Sequence, residues 1–166
     1  MAVSMRFAMA ACFAVGILSV GAGMAEEPIT RAQPQLPVQN LTITSQDGQA
    51  HLFHVEMAFT PRQQEIGEMF RTHLPESEGM LFVWPTPQNS DMWMRNTLVP
   101  LDIVFIDQTH HIHAIAEDAV PLSEAILSSQ GAVASTLELA GGVTAKMNIR
   151  VGDLVSGPAI EAKSHP

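Results

Sequence analysis

The sequence predicts a mostly β fold, a single-domain sandwich or jelly-roll-like barrel of about eight short strands with one short helix. Three observations point there. Apolar residues alternate or run in short stretches bounded by Gly, Pro, Asn and Asp every 8–12 residues or so, only one segment carries a complete helix-start signature, and no strand is followed by a full helix in the β/α manner.

The domain is expected over 38–157. Leu41-Thr42-Ile43-Thr44 alternates in the strand period, and Asp47-Gly48 is a hairpin turn before His51–Met57. Thr60-Pro61-Arg62-Gln63 has the form of a helix start, with Thr60 as N-cap and Gln63 closing a capping box, so a short helix is predicted over 61–69. Gly79–Trp84 is an apolar strand that Pro85 and Pro87 should end. Asp91–Asn96 and Leu101–Ile106 read as two strands around a corner at Thr97–Pro100, and His111–Ala116 follows a turn at Asp107–His110. Pro121 to Gly131 is expected to be a loop. Ser135–Leu139 and Leu154–Val155 complete the strands, with a short amphipathic stretch between Gly141 and Met147. The first hairpin, carrying His51, His54 and Glu56, should lie nearer an edge than the continuous apolar strands.

Residues 1–25 read as a secretory signal: Arg6 precedes an apolar run from Phe7 to Val20, and Gly23-Met24-Ala25 offers a cleavage site before Glu26. Cys12 lies too close to Arg6 for a lipoprotein signal. The location expected is periplasmic or secreted, with no stable membrane insertion once the leader is removed. Residues 26–37, with Pro28, Pro34 and Pro37, read as an extended linker, and 158–166 as a tail. Cleavage would remove the one cysteine, leaving no disulfide, thiolate nucleophile or thiolate metal site.

Without Arg6, seven basic side chains face seventeen acidic ones, and the basic ones are scattered singly. That balance disfavours nucleic acid and anionic membranes as partners and leaves an unknown small molecule or cell-envelope component. No nucleophile elbow, phosphate loop, dinucleotide fingerprint or zinc-protease helix is present, so no catalytic residue is assigned.

Asp102 stands out in an apolar strand, where a lone ionised carboxylate would cost several kcal/mol. Arg71, Arg95 and the amide of Asn96 are the nearest partners in sequence. Two readings follow: an ion pair that fixes the corner, or a ligand pocket built from Arg71, Asn96 and Asp102. A rival of another class is a cell-envelope hydrolase or lyase using Asp102 and Glu138 as acid and base.

No cofactor is predicted, though copper or zinc is a further reading. Met57, Met69, Met80, Met92, Met94 and Met147, with the histidines, suit soft-metal handling, and His110, His111 and His113 are spaced to form a three-nitrogen site. Core packing is the favoured explanation of the methionines, and a solvated turn and edge strand that of the histidines. Trp84, Trp93, Phe82 and Phe105 either line an apolar cleft or fill the core.

The succession VEMAFTPRQQEIGEMFR, EGMLFVW, MWMRNTLVPLDIVFID, LELAGG and VGD resembles the bacterial and archaeal domain-of-unknown-function family 192, from about Val38 to Val155. The resemblance implies a compact β-sandwich or jelly-roll-like domain and no reaction. It places family motif positions at Arg71, Asn96, Thr97, Asp102 and Glu138, with Gly79, Pro100, Gly141 and Gly152 at turns; with Trp93, the first five make up the expected ligand-contacting set. Two departures stand out. Glu68 occupies a place where the family usually has leucine, and Thr109-His110 replaces its usual Asp-Gly turn, which makes the histidine cluster particular to this chain.

Overall fold

A computed structural model describes residues 27–162. The leader, and with it Arg6 and Cys12, lies outside the described residues. Seven strands form one sheet: β1 (Val38–Thr44), β2 (Ala50–Ala58), β3 (Glu78–Met92), β4 (Leu101–Ile106), β5 (Ile112–Ala119), β6 (Leu127–Ala140) and β7 (Leu154–Ser156), in the order β5-β4-β6-β3-β2-β1-β7. Short helices α1 (Pro61–Ile66), α2 (Val143–Lys146) and α3 (Pro158–Glu161) punctuate them. The mostly β expectation is realised as a single curled sheet, a half-barrel. At one end the outer strands approach each other: His111 bridges Leu154, and the Ile112 amide donates to the Asp153 carbonyl at 2.9 Å.

The hairpin β1–β2 forms as expected, with Gly48 at φ +85° in its turn. In the strand order it lies next to the edge strand β7. Helix α1 has the predicted capping box but stops at Gly67, whose φ of +49° breaks the helical path three residues earlier than expected. The segment after α1 then leads to β3, which runs parallel to β2.

Two expected strands, 79–84 and 91–96, prove to be one long strand and a turn. Pro85 and Pro87 do not end β3, because they fall in a register shift between Val83 and Gln88 where no ladder amide is required. The expected loop 121–131 gives way at Leu127 to the first half of β6, which pairs with that extension of β3. Its polar Ser128-Ser129-Gln130 stretch hid the strand. Trp93–Asn96 leaves the sheet, and Asn96 takes φ +57°.

Pleating gives the sheet two buried faces. One is built by all seven strands, with Ile43, Phe53, Val55, Leu81, Val104, Ile112, Leu137, Leu139 and Val155 among its members. The other carries Ile103, Phe105 and Met94 in one cluster and Met80 and Phe82 in a second. Strand β4 is buried at every position because both faces are covered. Met57, Met80 and Met94 fall one to each of the three clusters, so core packing accounts for them.

Candidate functional site

One rung of the sheet builds the site. Glu56 on β2 pairs with Met80 on β3, which pairs with Glu138 on β6, which pairs with Ile103 on β4. Paired residues share a face, so Glu56 and Glu138 both project on the second face, beneath the segment that follows α1. That segment supplies Glu68 and Arg71. Arg71 grips Glu56 in a bidentate pair, 2.7 and 2.8 Å, and its Nε lies 3.0 Å from Glu68 Oε2. The Glu68 contact is ionic only: neither of its buried oxygens accepts a hydrogen bond. Glu138 Oε2 accepts from the Glu68 amide at 3.2 Å.

Three carboxyls and one guanidinium leave an excess of buried acid, and protons compensate. Burial raises Glu138 to about 8, with the neighbouring Glu68 adding to the shift. Burial likewise raises Glu68 to about 7 against the opposing pull of Arg71, with Glu56 and Glu78 pushing further upward. Arg71 is raised, chiefly by its hydrogen bonds to Glu56. Near neutral pH Glu138 is therefore a carboxylic acid.

Glu138 borders a cleft of about 340 Å³. Its walls are Met69, Trp84, Met92 and Trp93; Glu65, Asp91 and Thr97 also line it, and no lysine, arginine or histidine does. Trp84 is held by a hydrogen bond from Nε1 to Thr136 Oγ1, 3.2 Å, and stacks on Phe82. Gly67 lies directly against the carboxyl and also lines the cleft. A Cβ there would stand 3.0 Å from Glu138 Oε2 and 3.1 Å from Phe82, so only glycine leaves the carboxyl its space. A neighbouring cavity of about 260 Å³ shares Glu65, Met69 and Trp93 and adds Arg62, which pairs with Glu65 at 2.8 Å, Arg95 and Asn96. Arg95 lies over the Trp93 ring, 5.6 Å from its centroid.

Of the residues singled out in the sequence, Trp93, Thr97 and Glu138 line the first cleft and Asn96 the second. Arg71 stands behind them, linked through Glu68. Asp102 does not join them. It is fully buried on the opposite face, in register with Leu139, and pairs with no arginine or side-chain amide. Its Oδ1 accepts from the amides of Asp118 and Gly142, 2.8 and 2.9 Å, and its Oδ2 from the Thr144 amide and hydroxyl, 2.8 and 2.7 Å. Asp102 thus satisfies the start of α2 and the end of β5. The expected Arg71–Asn96–Asp102 pocket is corrected on this ground, and so is the Asp102–Glu138 acid–base pair, whose members point to opposite sides of the sheet.

The expected three-histidine site is not assembled. His111 Nδ1 meets Thr109 Oγ1 at 3.1 Å, His113 lies against Gly131, and His110 occupies a turn at φ +66°. Among the described residues no group of three or more His, Cys, Asp or Glu is placed to hold a metal ion. Glu56, Glu68, Met69, Trp84 and Met92 complete the site without having been assigned to the ligand-contacting set. Glu68 carried a signal as a charge in an apolar position, Trp84 as a candidate for an apolar cleft, and Met69 and Met92 only as members of the methionine excess.

No curated protein matches the chain. Among solved structures, a candidate transcription regulator from Sinorhizobium meliloti is 35% identical with a TM-score of 0.74, over 77% of this chain and 99% of that one. A protein of unknown function from Novosphingobium aromaticivorans is 40% identical with a TM-score of 0.71, over 73% and 86% of the two chains. The profile of domain-of-unknown-function family 192, described as an uncharacterized ACR, matches residues 42–157. The chain belongs to that family.

Proposed function

We propose that this protein is a periplasmic or secreted binding module that takes a small molecule into the cleft bordered by Glu138, with no catalytic role. The observation that carries the reading is a nearly buried carboxyl, 4% exposed, at the edge of a cleft walled by two tryptophans and two methionines. An apolar pocket with a few placed polar groups is the usual form of a small-ligand site. The absence of catalytic signatures and the separation of Asp102 from Glu138 favour binding over hydrolysis. Export rests on the leader-like pattern of Arg6, Phe7–Val20 and Gly23-Met24-Ala25.

The regulator description of the Sinorhizobium relative does not transfer easily. A DNA-reading surface needs clustered positive charge, and this chain has eight basic against seventeen acidic residues. A fragment titration followed by tryptophan fluorescence and amide NMR tests the binding reading. Shifts centred on Trp84, Trp93 and Glu138, lost in Trp93→Ala, are expected; shifts elsewhere would move the site. Intact mass of exported protein should correspond to a chain starting at Glu26.

A further inference from the structure

We infer that the cleft beside Glu138 selects a small organic cation, an alkylated amine or quaternary ammonium group, and binds it in exchange for the Glu138 proton. The inference rests on the binding reading above and adds the ligand's charge.

The lining is one-sided. Asp91 and Glu138 border the cleft, Glu65 does so while paired with Arg62 at 2.8 Å, and no basic side chain lines it, so the lining itself favours a positive ligand over a negative one. The apolar walls are the second, independent feature. Trp84 and Trp93 line the cleft, aromatic rings attract diffuse cations, and Trp93 already attracts one, since Arg95 lies over its ring from the adjoining cavity. Met69 and Met92 supply polarizable contacts for alkyl groups. A hard metal ion fits poorly, because among the described residues no three His, Cys, Asp or Glu side chains converge. An alkylammonium needs no such convergence.

Glu138 gives the site its sensitivity to charge. Only Oε2 is hydrogen-bonded, by the Glu68 amide, so Oε1 is not committed to any donor among the described residues. The charged groups around it are Glu68 and Arg71 from the segment after α1, Glu56 on β2 acting through Arg71, Glu78 on β3 beyond Glu68, and at the cleft Asp91 and the α1 pair Glu65–Arg62. Arg71 is already shared by Glu56 and Glu68, which leaves little positive charge for Glu138. An entering cation provides it: the carboxylic acid releases one proton to solvent, and the carboxylate so formed pairs with the bound cation. Since the free acid titrates near 8, affinity should rise about tenfold per pH unit below that value and level off above it.

Three probes of one shape separate charge from size: choline, its neutral analogue 3,3-dimethylbutan-1-ol, and the anion 3,3-dimethylbutyrate. Each is titrated calorimetrically into the protein at pH 6, 7 and 8, in buffers of different ionisation enthalpy. Choline is expected to bind at least tenfold more tightly than the alcohol, with proton release that disappears in Glu138→Gln, while the butyrate does not bind. Trp93→Ala, at a position 40% exposed, provides a second variant with little risk to folding, and should weaken choline at least tenfold. If the alcohol binds as tightly as choline, or without pH dependence in either, the cation inference is overturned while the cleft remains a binding site. If none of the three binds, the inference is equally overturned, and the fragment titration judges the cleft separately.

Discussion

Asp102 and Glu138 occupy adjacent strands and nearly adjacent rungs, yet they face opposite sides of the sheet. Asp102 is in register with Leu139, and Glu138 with Ile103. One step of pleat thus divides the two most conspicuous carboxylates into a structural anchor and a site residue. Asp102 receives four hydrogen bonds from backbone and hydroxyl donors, whereas Glu138 receives one and borders a cleft. The same residue type does two jobs because its surroundings differ.

Asp102→Asn should destabilise without touching ligand binding. The new amide would turn an NH2 toward the amides or hydroxyl it replaces an acceptor for, leaving buried donors opposed, at a cost of about 3 kcal/mol. Chemical denaturation would measure the loss; unchanged stability together with weakened fragment binding would place Asp102 in the site after all.

Stability should fall as pH rises from about 5 to about 8. Glu68 and Glu138 titrate near 4.5 when unfolded, and near 7 and 8 when folded. Between those values the folded state holds protons that the unfolded state has released, so each added pH unit favours unfolding. Above about 8 both states are ionised and this contribution levels off. Melting temperature across pH 5–9 reads the trend directly, and its slope should shrink in Glu138→Gln.

Glu68→Leu is expected to stabilise the protein at pH 8. The glutamate is 1% exposed, and neither of its oxygens accepts a hydrogen bond. Removing it relieves a desolvated charge worth about 1–3 kcal/mol while Arg71 keeps its bidentate hold on Glu56. Denaturant midpoints at pH 8 check this, and a loss of stability would mean that the Arg71–Glu68 contact contributes more than burial takes away.

Arg71→Met should be costly at high pH and milder at low pH. Without the guanidinium, Glu56, Glu68 and Glu138 remain crowded with no cation, for a loss of about 3–5 kcal/mol at pH 8. At pH 5 Glu68 and Glu138 are protonated and most of the repulsion is gone. Equal losses at both pH values would show that Arg71 acts through packing rather than charge.

The sequence carried the architecture well where local chemistry decides it. The capping box at Thr60 and Gln63, the Asp47-Gly48 turn and the apolar run Leu101–Ile106 each specify an element through neighbours in the chain. It misled where pairing decides. Pro85 and Pro87 normally end a strand, but a bulge accommodates them, and Ser128–Gln130 looks like loop until β3 supplies its partner. For the site, Asn96, Thr97 and Glu138 were legible as motif positions and Trp93 as an aromatic beside them, whereas the partner of Asp102 was not. That required knowing that β5 and α2 converge on it from 16 and 42 residues away. The role of Glu56 was hidden similarly, because its rung with Glu138 passes through the parallel pairing of β2 and β3.

One proton, that of Glu138, decides how the cleft behaves. Carbon-13 NMR of glutamate side-chain carboxyls, with Glu138→Gln used to assign the signal, follows the titration of Glu138 directly. A midpoint near 8 is expected, with a coupled inflection from Glu68 near 7. A midpoint near 4.5 would mean an ordinary solvated carboxylate, and neither the neutral acid beside the cleft nor the exchange of its proton for a cation would survive that result.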